Sequence, residues 1–140
     1  MKIKFIDNAA SICIEPLYLI NQDSKNGSML WIKTDIRIHV DSASIVETIE
    51  LSKSDYQSLY QILYNRNNVN HSIVWETLEE TIRLEMIKEE EKYACCLNYI
   101  TNMERNNYMH ISFFLYENDV DNTISELASI IDWIGLCEKS

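Results

Sequence analysis

Glycine and proline are scarce in this chain, which has two glycines and one proline among its 140 residues. Phosphate-binding loops and nucleophile elbows depend on glycine, because the main chain must approach a ligand closely or bend sharply there. Gly27 and Gly135 each stand alone, with no glycine-rich loop around either. This scarcity argues against mononucleotide and dinucleotide sites of the usual kinds.

Metal-ligand spacing is also missing, since the four cysteines form no C-x-x-C pair and the three histidines lie on separate segments. We therefore expect no metal site, no disulfide framework and no cofactor. A Cys-His nucleophile could be built from Cys95 or Cys96 and a histidine, but both cysteines fall in the middle of a predicted strand, where thiols are usually inert. We expect no catalytic residues and no enzymatic activity.

Long apolar runs are absent as well. The first sixteen residues are interrupted by Lys4 and Asp7, so we expect no secretory signal. No segment approaches the roughly 20 apolar residues of a membrane span. We expect a cytoplasmic protein with reduced cysteines and no membrane partner.

Basic residues are outnumbered, with 12 Lys and Arg against 22 Asp and Glu, which gives a net charge of −10. Such a surface repels nucleic acid and attracts a basic partner. Improved solubility is the alternative explanation of the same charge.

An alternating segment, "LWIKTDIRIHV" at 30–40, predicts a strand with one apolar and one polar face. Trp31 leads the polar face, which either a helix or a partner protein could cover. Pro16 predicts an edge position or a bulge, because it cannot donate to a sheet ladder. In all, strands are predicted at 2–6, 11–20, 30–40, 42–51, 82–87, 93–100 and 108–116.

Two segments change to helical periodicity. Ser52 and Asp55 have the spacing of a capping box, and the helix that follows ends near Asn65. A terminal helix is predicted to start at a cap on Asp121 and to stop at Gly135. The predicted buried stripes are Tyr56, Leu59, Tyr60 and Leu63 in the first helix, and Ile124, Leu127, Ala128, Ile131 and Ile134 in the second.

The order of these elements predicts an α+β fold, with an antiparallel β-sheet or sheets of about seven strands and two helices in the order ββββ-α-βββ-α. Residues 73–80 stay open between a strand and a helical turn, because "ETLEE" favours helix on propensity. We expect residues 1–140 to form a single domain.

Seven glutamates lie between positions 76 and 91, offset by Arg83 and Lys88 alone. They are either a solvated strand face with a charged hairpin tip, or a docking patch for a basic protein. Several aromatic residues are candidates for polar strand faces, where Trp and Tyr often serve as interface anchors, although they more often fill a core. These aromatic candidates are Trp31, Trp75, Tyr99, Tyr108 and Tyr116, and the candidate partner-binding residues are Trp31, Glu76, Glu79, Glu80 and Glu85.

The sequence resembles the WapI-type immunity proteins, which are small bacterial antitoxins against a toxin carried at the end of a large cell-surface protein. The resemblance rests on "LWIKTDIRI" led by Trp31, on the capped helix "LSKSDYQSLYQILY", on "EETIRLEM" with Glu80 opening a strand, and on "ISFFLYENDVDNTISELASII" with Asp121 as cap. Relatives usually carry a glycine near the hairpin before the strand "KYACCLNYI", and this chain has none.

The resemblance implies a cytoplasmic immunity protein of bacterial competition, an acidic toxin inhibitor that acts as a monomer or homodimer. It would bind a cognate, basic toxin domain and neutralise it by direct occlusion, with no nucleic-acid partner. A small-ligand-binding domain, with an aromatic pocket between sheet and helices, is the alternative of a different class.

Overall fold

The structure is a computed structural model that describes residues 1–20, 30–68, 72–101 and 108–139. Residues 21–29 and 102–107, which connect predicted strands, and His71 lie outside these ranges. The strands are β1 (Ile3–Ile6), β2 (Ala10–Leu19), β3 (Trp31–Val40), β4 (Ala43–Ser52), β5 (Ile73–Glu76), β6 (Ile82–Glu89), β7 (Lys92–Ile100) and β8 (Tyr108–Tyr116); the helices are α1 (Lys53–Tyr64) and α2 (Glu117–Glu138), with a short 3-10 turn at Arg66–Asn68.

The strands form two antiparallel four-stranded sheets, β1-β2-β3-β4 and β5-β6-β7-β8, and each sheet is followed by a helix. The predicted α+β class, the antiparallel pairing and the two helices are confirmed. The described residues hold eight strands, because Ile73–Glu76 is a strand whose residues alternate between buried and exposed. The helical propensity of "ETLEE" is overridden, since the Thr77 hydroxyl accepts the N–H groups of Thr81 and Ile82 and closes a turn.

One apolar core is shared by the inner faces of both sheets and the buried faces of both helices. Ile32, Ile36 and Ile38 of β3 are buried, as their alternation predicts. The rings of Phe5 and Phe113 stack with centroids 5.8 Å apart and join the two sheets. Burial with close packing of this kind is the main source of folding free energy.

The predicted bulge at Pro16 is confirmed. The register between β2 and β3 shifts between Pro16 and Tyr18. The pairing of β1 with β2 reaches only to Ile14. Because no β1 residue is paired with Pro16, the N–H that proline lacks is not needed for a hydrogen bond to β1.

The β6–β7 hairpin forms at the predicted tip, without a glycine. Glu90 takes the left-handed conformation there, with φ of 54°. This conformation costs a non-glycine residue about 1 kcal/mol, which explains why glycine suits such a position.

Helix α2 differs from its prediction at both ends. It begins at Glu117, and the carboxylate of Asp119 accepts the N–H of Tyr116 over 2.8 Å, so Asp121 lies inside the helix and the prediction of a cap there is wrong. Gly135 does not stop the helix, which continues to Glu138.

The buried stripe of α2 is also turned relative to the prediction. Leu127 and Ile134 are buried as predicted, whereas Ile124, Ala128 and Ile131 are half-buried. The remaining buried positions are Val120, Thr123 and Ile130. Neither helix of the described ranges is both long enough and apolar enough to cross a membrane.

Replacing Gly135 by alanine should stabilise the protein. A Cβ atom at this position meets nothing within 4 Å, and the glycine lies within a helix. The loss of backbone entropy in the unfolded chain and the better helix propensity should raise the free energy of unfolding by about 0.5–1 kcal/mol. Urea unfolding of Gly135→Ala tests this; a loss of stability would mean that the helix ends at this glycine.

A polar cluster around Glu117 ties the start of α2 to three other elements. Its carboxylate accepts from Lys88 Nζ over 2.5 Å, from Tyr93 Oη over 2.8 Å and from Arg66 NH2 over 2.8 Å. The hydrogen bond from Lys88 is the main cause that holds the pKa of Glu117 at about 2, with burial opposing it and Arg66 and Tyr93 adding to it. Charge-assisted hydrogen bonds of this kind stabilise the ionised form.

Stability should therefore depend on pH through Glu117. Because its pKa in the folded protein is lower than the ordinary 4.5, its contribution is complete above pH 4.5 and is lost as the pH falls toward 2. Glu117→Gln should cost about 1 kcal/mol at pH 7, a value reduced by solvent screening because the side chain is 40% exposed.

The measurement is urea unfolding of wild type and Glu117→Gln between pH 7 and pH 2. The difference should shrink steadily below pH 4.5. A pH-independent difference for Glu117→Gln would contradict the assigned cluster.

Candidate protein-binding surface

Both sheets turn their outer faces to solvent in the described part of the chain. The buried residues of the helices pack with the inner faces, whereas Arg37 and His39 on the outer face of β3 are exposed. Of the two predicted ways to cover the polar face of β3, coverage by a helix is therefore wrong. Antiparallel sheets commonly leave one face in water in this way.

Trp31 lies at the start of that outer face, half-buried and opposite Ser52 of β4. Further along the face, Lys33 forms an ion pair with Glu50 over 3.1 Å. Thr48 donates a hydrogen bond to Asp35 over 2.8 Å. Polar side chains of β3 on this face are thus paired with side chains of the neighbouring strand β4.

The seven glutamates at 76–91 do not form one patch. Glu76 and Glu85 flank Arg83 on the outer face of the second sheet, at 3.3 and 3.5 Å, so their charge is largely compensated. Glu79 and Glu80 lie in the 77–81 turn at one end of β6, and neither has an ion pair with a described residue. Three further glutamates, Glu89, Glu90 and Glu91, lie at the hairpin at the other end of β6, roughly 27 Å away along a strand of this length.

The aromatic candidates other than the half-buried Trp31 separate into two groups. Trp75 and Tyr99 are buried, whereas Tyr108 and Tyr116 are exposed on β8. Together with Tyr56, the buried pair occupies the core, and the indole N–H of Trp75 donates to the carbonyl oxygen of Asp55 over 3.0 Å. The residues that a small-ligand pocket would need are thus packed and hydrogen-bonded, and the small-ligand alternative stays a prediction.

The buried carboxylate of Asp55 fixes the position of the 77–81 turn. One of its oxygens accepts the N–H of Ser52 over 2.8 Å and the other accepts the N–H of Leu78 over 2.9 Å. The Ser52 hydroxyl accepts the N–H of Asp55, so the predicted capping box is confirmed. The contact with Leu78 was not predicted, because a capping motif gives no signal of a third, distant partner.

A groove of about 610 Å³ lies between β4 and the 77–81 turn. Among the described residues, its lining includes the carboxylates of Glu47, Glu50 and Glu79 and the ammonium group of Lys33. At its floor the hydroxyl of Tyr99 donates to Glu47 over 2.5 Å, and burial together with this carboxylate raises the pKa of Tyr99. Glu50 is paired with Lys33, whereas Glu79 lies beside the edge strand without an ion pair to a described residue.

The edge of β4 has unpaired main-chain groups. Lys53 N–H donates to the Leu30 carbonyl over 2.8 Å, and the register continues with Trp31 opposite Ser52. Because hydrogen-bonded pairs alternate along an antiparallel ladder, every second residue of β4 turns its N–H and C=O away from β3. The residues with outward main-chain groups are Ser44, Val46, Thr48 and Glu50, for which no main-chain partner exists in the described ranges.

A cysteine–histidine pair lies on the outer face of the second sheet. Cys96 Sγ is 3.2 Å from His110 Nε2, and His110 Nδ1 is 2.6 Å from Asn98 Oδ1. A nucleophilic thiol needs a lowered pKa, but burial and the nearby Glu85 raise the pKa of Cys96. Cys95 is buried and its pKa is raised to about 12 by burial. The arrangement gives no support for nucleophilic chemistry, and the absence of enzymatic activity stays a prediction.

Comparison with known proteins gives a likeness of fold alone. No protein-family model and no curated protein matches the sequence. Among solved structures, the chain is similar to WHY3 from Arabidopsis thaliana, with a TM-score of 0.50 and 10% identity over 94% of this chain and 86% of WHY3. The resemblance to WapI-type immunity proteins stays a prediction.

Amide hydrogen exchange should report the open edge directly. The outward N–H groups of Val46 and Thr48 should exchange fast, whereas those of Glu47 and Ile49, which bond to β3, should be protected. The measurement is residue-resolved exchange by NMR on the free protein. Uniform protection along β4 would show that the edge is covered, and uniform fast exchange would show that β4 is not paired as described.

Proposed function

We propose that this chain is an immunity protein, which binds a basic toxin domain and blocks it by covering its active surface. The observation that carries the proposal is the groove beside β4, where Glu79, which forms no ion pair with a described residue, adjoins an edge strand with outward main-chain groups. A surface of this kind complements a basic protein both in charge and in hydrogen-bonding capacity.

Electrostatics supports the proposal. The net charge of −10 gives a long-range attraction for a basic partner, which raises association rates by roughly 10–1,000-fold. Glu79 and Glu80 contribute to this field because no described basic residue neutralises them. The compensated pair Glu76 and Glu85 contributes less.

The exposed area also supports a protein partner. A standard interface buries about 800 Å² on each side and needs a broad surface rather than a pocket. The outer sheet faces offer such a surface, with Trp31 half-buried on one sheet and Tyr108 exposed on the other. Aromatic residues of this type often dominate binding energy at interfaces.

The proposal is tested by growth rescue. A candidate toxin domain, taken from a reading frame adjacent to the gene for this chain, is expressed in a sensitive host with and without this chain. Growth restored by this chain, and not by an unrelated acidic protein of similar size, is the expected result. Continued growth arrest in cells that contain the folded chain would refute the proposal.

Charge reversal at the 77–81 turn should weaken the encounter with the toxin. Glu79→Lys with Glu80→Lys should lower the association rate constant by roughly 3–10-fold at low salt and reduce its salt dependence, because charges at an interface act mainly on encounter. Stopped-flow or biosensor kinetics at two ionic strengths measure both effects.

The matched control is Glu89→Lys with Glu91→Lys, which makes the same change of net charge at the opposite end of β6. It should change the association rate clearly less. Equal effects of the two double variants would show that only net charge matters and would remove the 77–81 turn from the interface.

A further inference from the structure

We propose that the outer edge of β4 is the docking strand, and that an extended basic segment of the partner adds to it as a fifth strand of the first sheet. This inference rests on the proposed function for the identity of the partner. The mode is strand addition, in which main-chain hydrogen bonds supply affinity and alternate side chains supply selectivity.

The main chain of β4 is suited to this role by its length and its open groups. It has ten residues, and the four with outward main-chain groups span most of its length. Ser52, at the end of the strand, also points outward, but its N–H is already bound by Asp55. Asp55 therefore closes one end of the edge and leaves the stretch from Ser44 to Glu50 open.

The other sheet edges are less suited. The edge strands β1 and β5 have only four residues each. The edge of β8 is partly closed, because the carboxylate of Asp7 accepts the N–H of Phe114 over 2.9 Å. The same carboxylate accepts the N–H groups of Ala9 and Ala10, which holds the closing turn in place.

The chemistry of the groove selects a basic occupant. A strand lying along β4 would pass Glu79, which forms no ion pair with a described residue, and the ion pair of Glu50 with Lys33. Lysine or arginine side chains of an added strand could pair with Glu79, and the net charge of −10 attracts them. An acidic segment would be repelled by Glu79 and by the same net charge.

The same negative charges disfavour a second copy of this chain as the segment that binds to β4. Pairing of β4 with itself would bring two chains of net charge −10 together and would double the carboxylates along the edge. Charged residues beside an edge strand are a known protection against self-association. The carboxylates thus exclude copies of this chain while they favour a basic segment.

The test uses two peptides with ¹⁵N-labelled protein. One peptide alternates lysine with threonine and valine, and the other has glutamate at every lysine position. The lysine peptide should shift the amide signals of Ser44, Val46, Thr48 and Glu50 and protect them from exchange, and the glutamate peptide should not. Shifts elsewhere, no shift at millimolar peptide, or equal binding of both peptides would overturn the inference.

Two variants of one residue isolate the main-chain contribution. Thr48→Pro removes an outward N–H, which a proline on an edge strand tolerates, whereas Thr48→Ala keeps that N–H and loses the same bond to Asp35. Affinity for the lysine peptide should fall roughly 10-fold in Thr48→Pro and less than about 2-fold in Thr48→Ala. Equal affinities would overturn the inference; if the proline variant does not fold, the wild-type amide map decides.

Failure of this inference is distinguishable from failure of the proposed function. If Thr48→Pro neutralises the toxin as well as wild type does, the function stands and docking at β4 is wrong. If wild type does not neutralise the toxin, the function is wrong, and the peptide map alone decides whether the edge accepts a basic strand. Dimerisation of this protein through the β4 edge in the absence of peptide would also overturn the inference that the edge binds a basic segment.

Discussion

The buried carboxylate of Asp55 is the interaction on which the arrangement of this protein depends. It satisfies the N–H of Ser52 at the start of α1 and the N–H of Leu78 in the turn after β5, and the residue is only 3% exposed. A buried carboxylate without partners would be costly, so these two hydrogen bonds stabilise the folded arrangement. Asp55 thereby holds the 77–81 turn beside β4 and creates the charged groove.

Buried polar side-chain atoms of the described residues find their partners within the molecule. The indole N–H of Trp75 is satisfied by the Asp55 carbonyl in the core, and the hydroxyl of Tyr99 is satisfied by Glu47 at the floor of the groove. Among the described residues, no buried side-chain nitrogen or oxygen lacks a hydrogen-bond partner, and no group of three or more metal-ligating side chains converges. The outward main-chain groups of Ser44, Val46, Thr48 and Glu50 on β4, by contrast, have no main-chain partner in the described ranges.

Local patterns predicted much of the fold because they depend on neighbours in sequence. The alternation at 30–40, the capping box at Ser52 and the bulge at Pro16 are all confirmed. The ends of α2 were wrong, because Asp121 and Gly135 fit the preferences for caps while packing extends the helix past both. The groove could not be predicted, because it depends on the contact of Asp55 with Leu78 and on the edge position of β4, which sequence periodicity does not encode.

The most direct measurement of the central claim is titration of the purified toxin domain with this purified chain, with toxin activity and heat of binding recorded together. We expect a saturable complex with one chain per toxin domain, full loss of toxin activity at equimolar ratio, and weaker binding at higher salt. Toxin activity that persists in the presence of excess folded chain, or inhibition that requires the chain to consume a substrate, would contradict it.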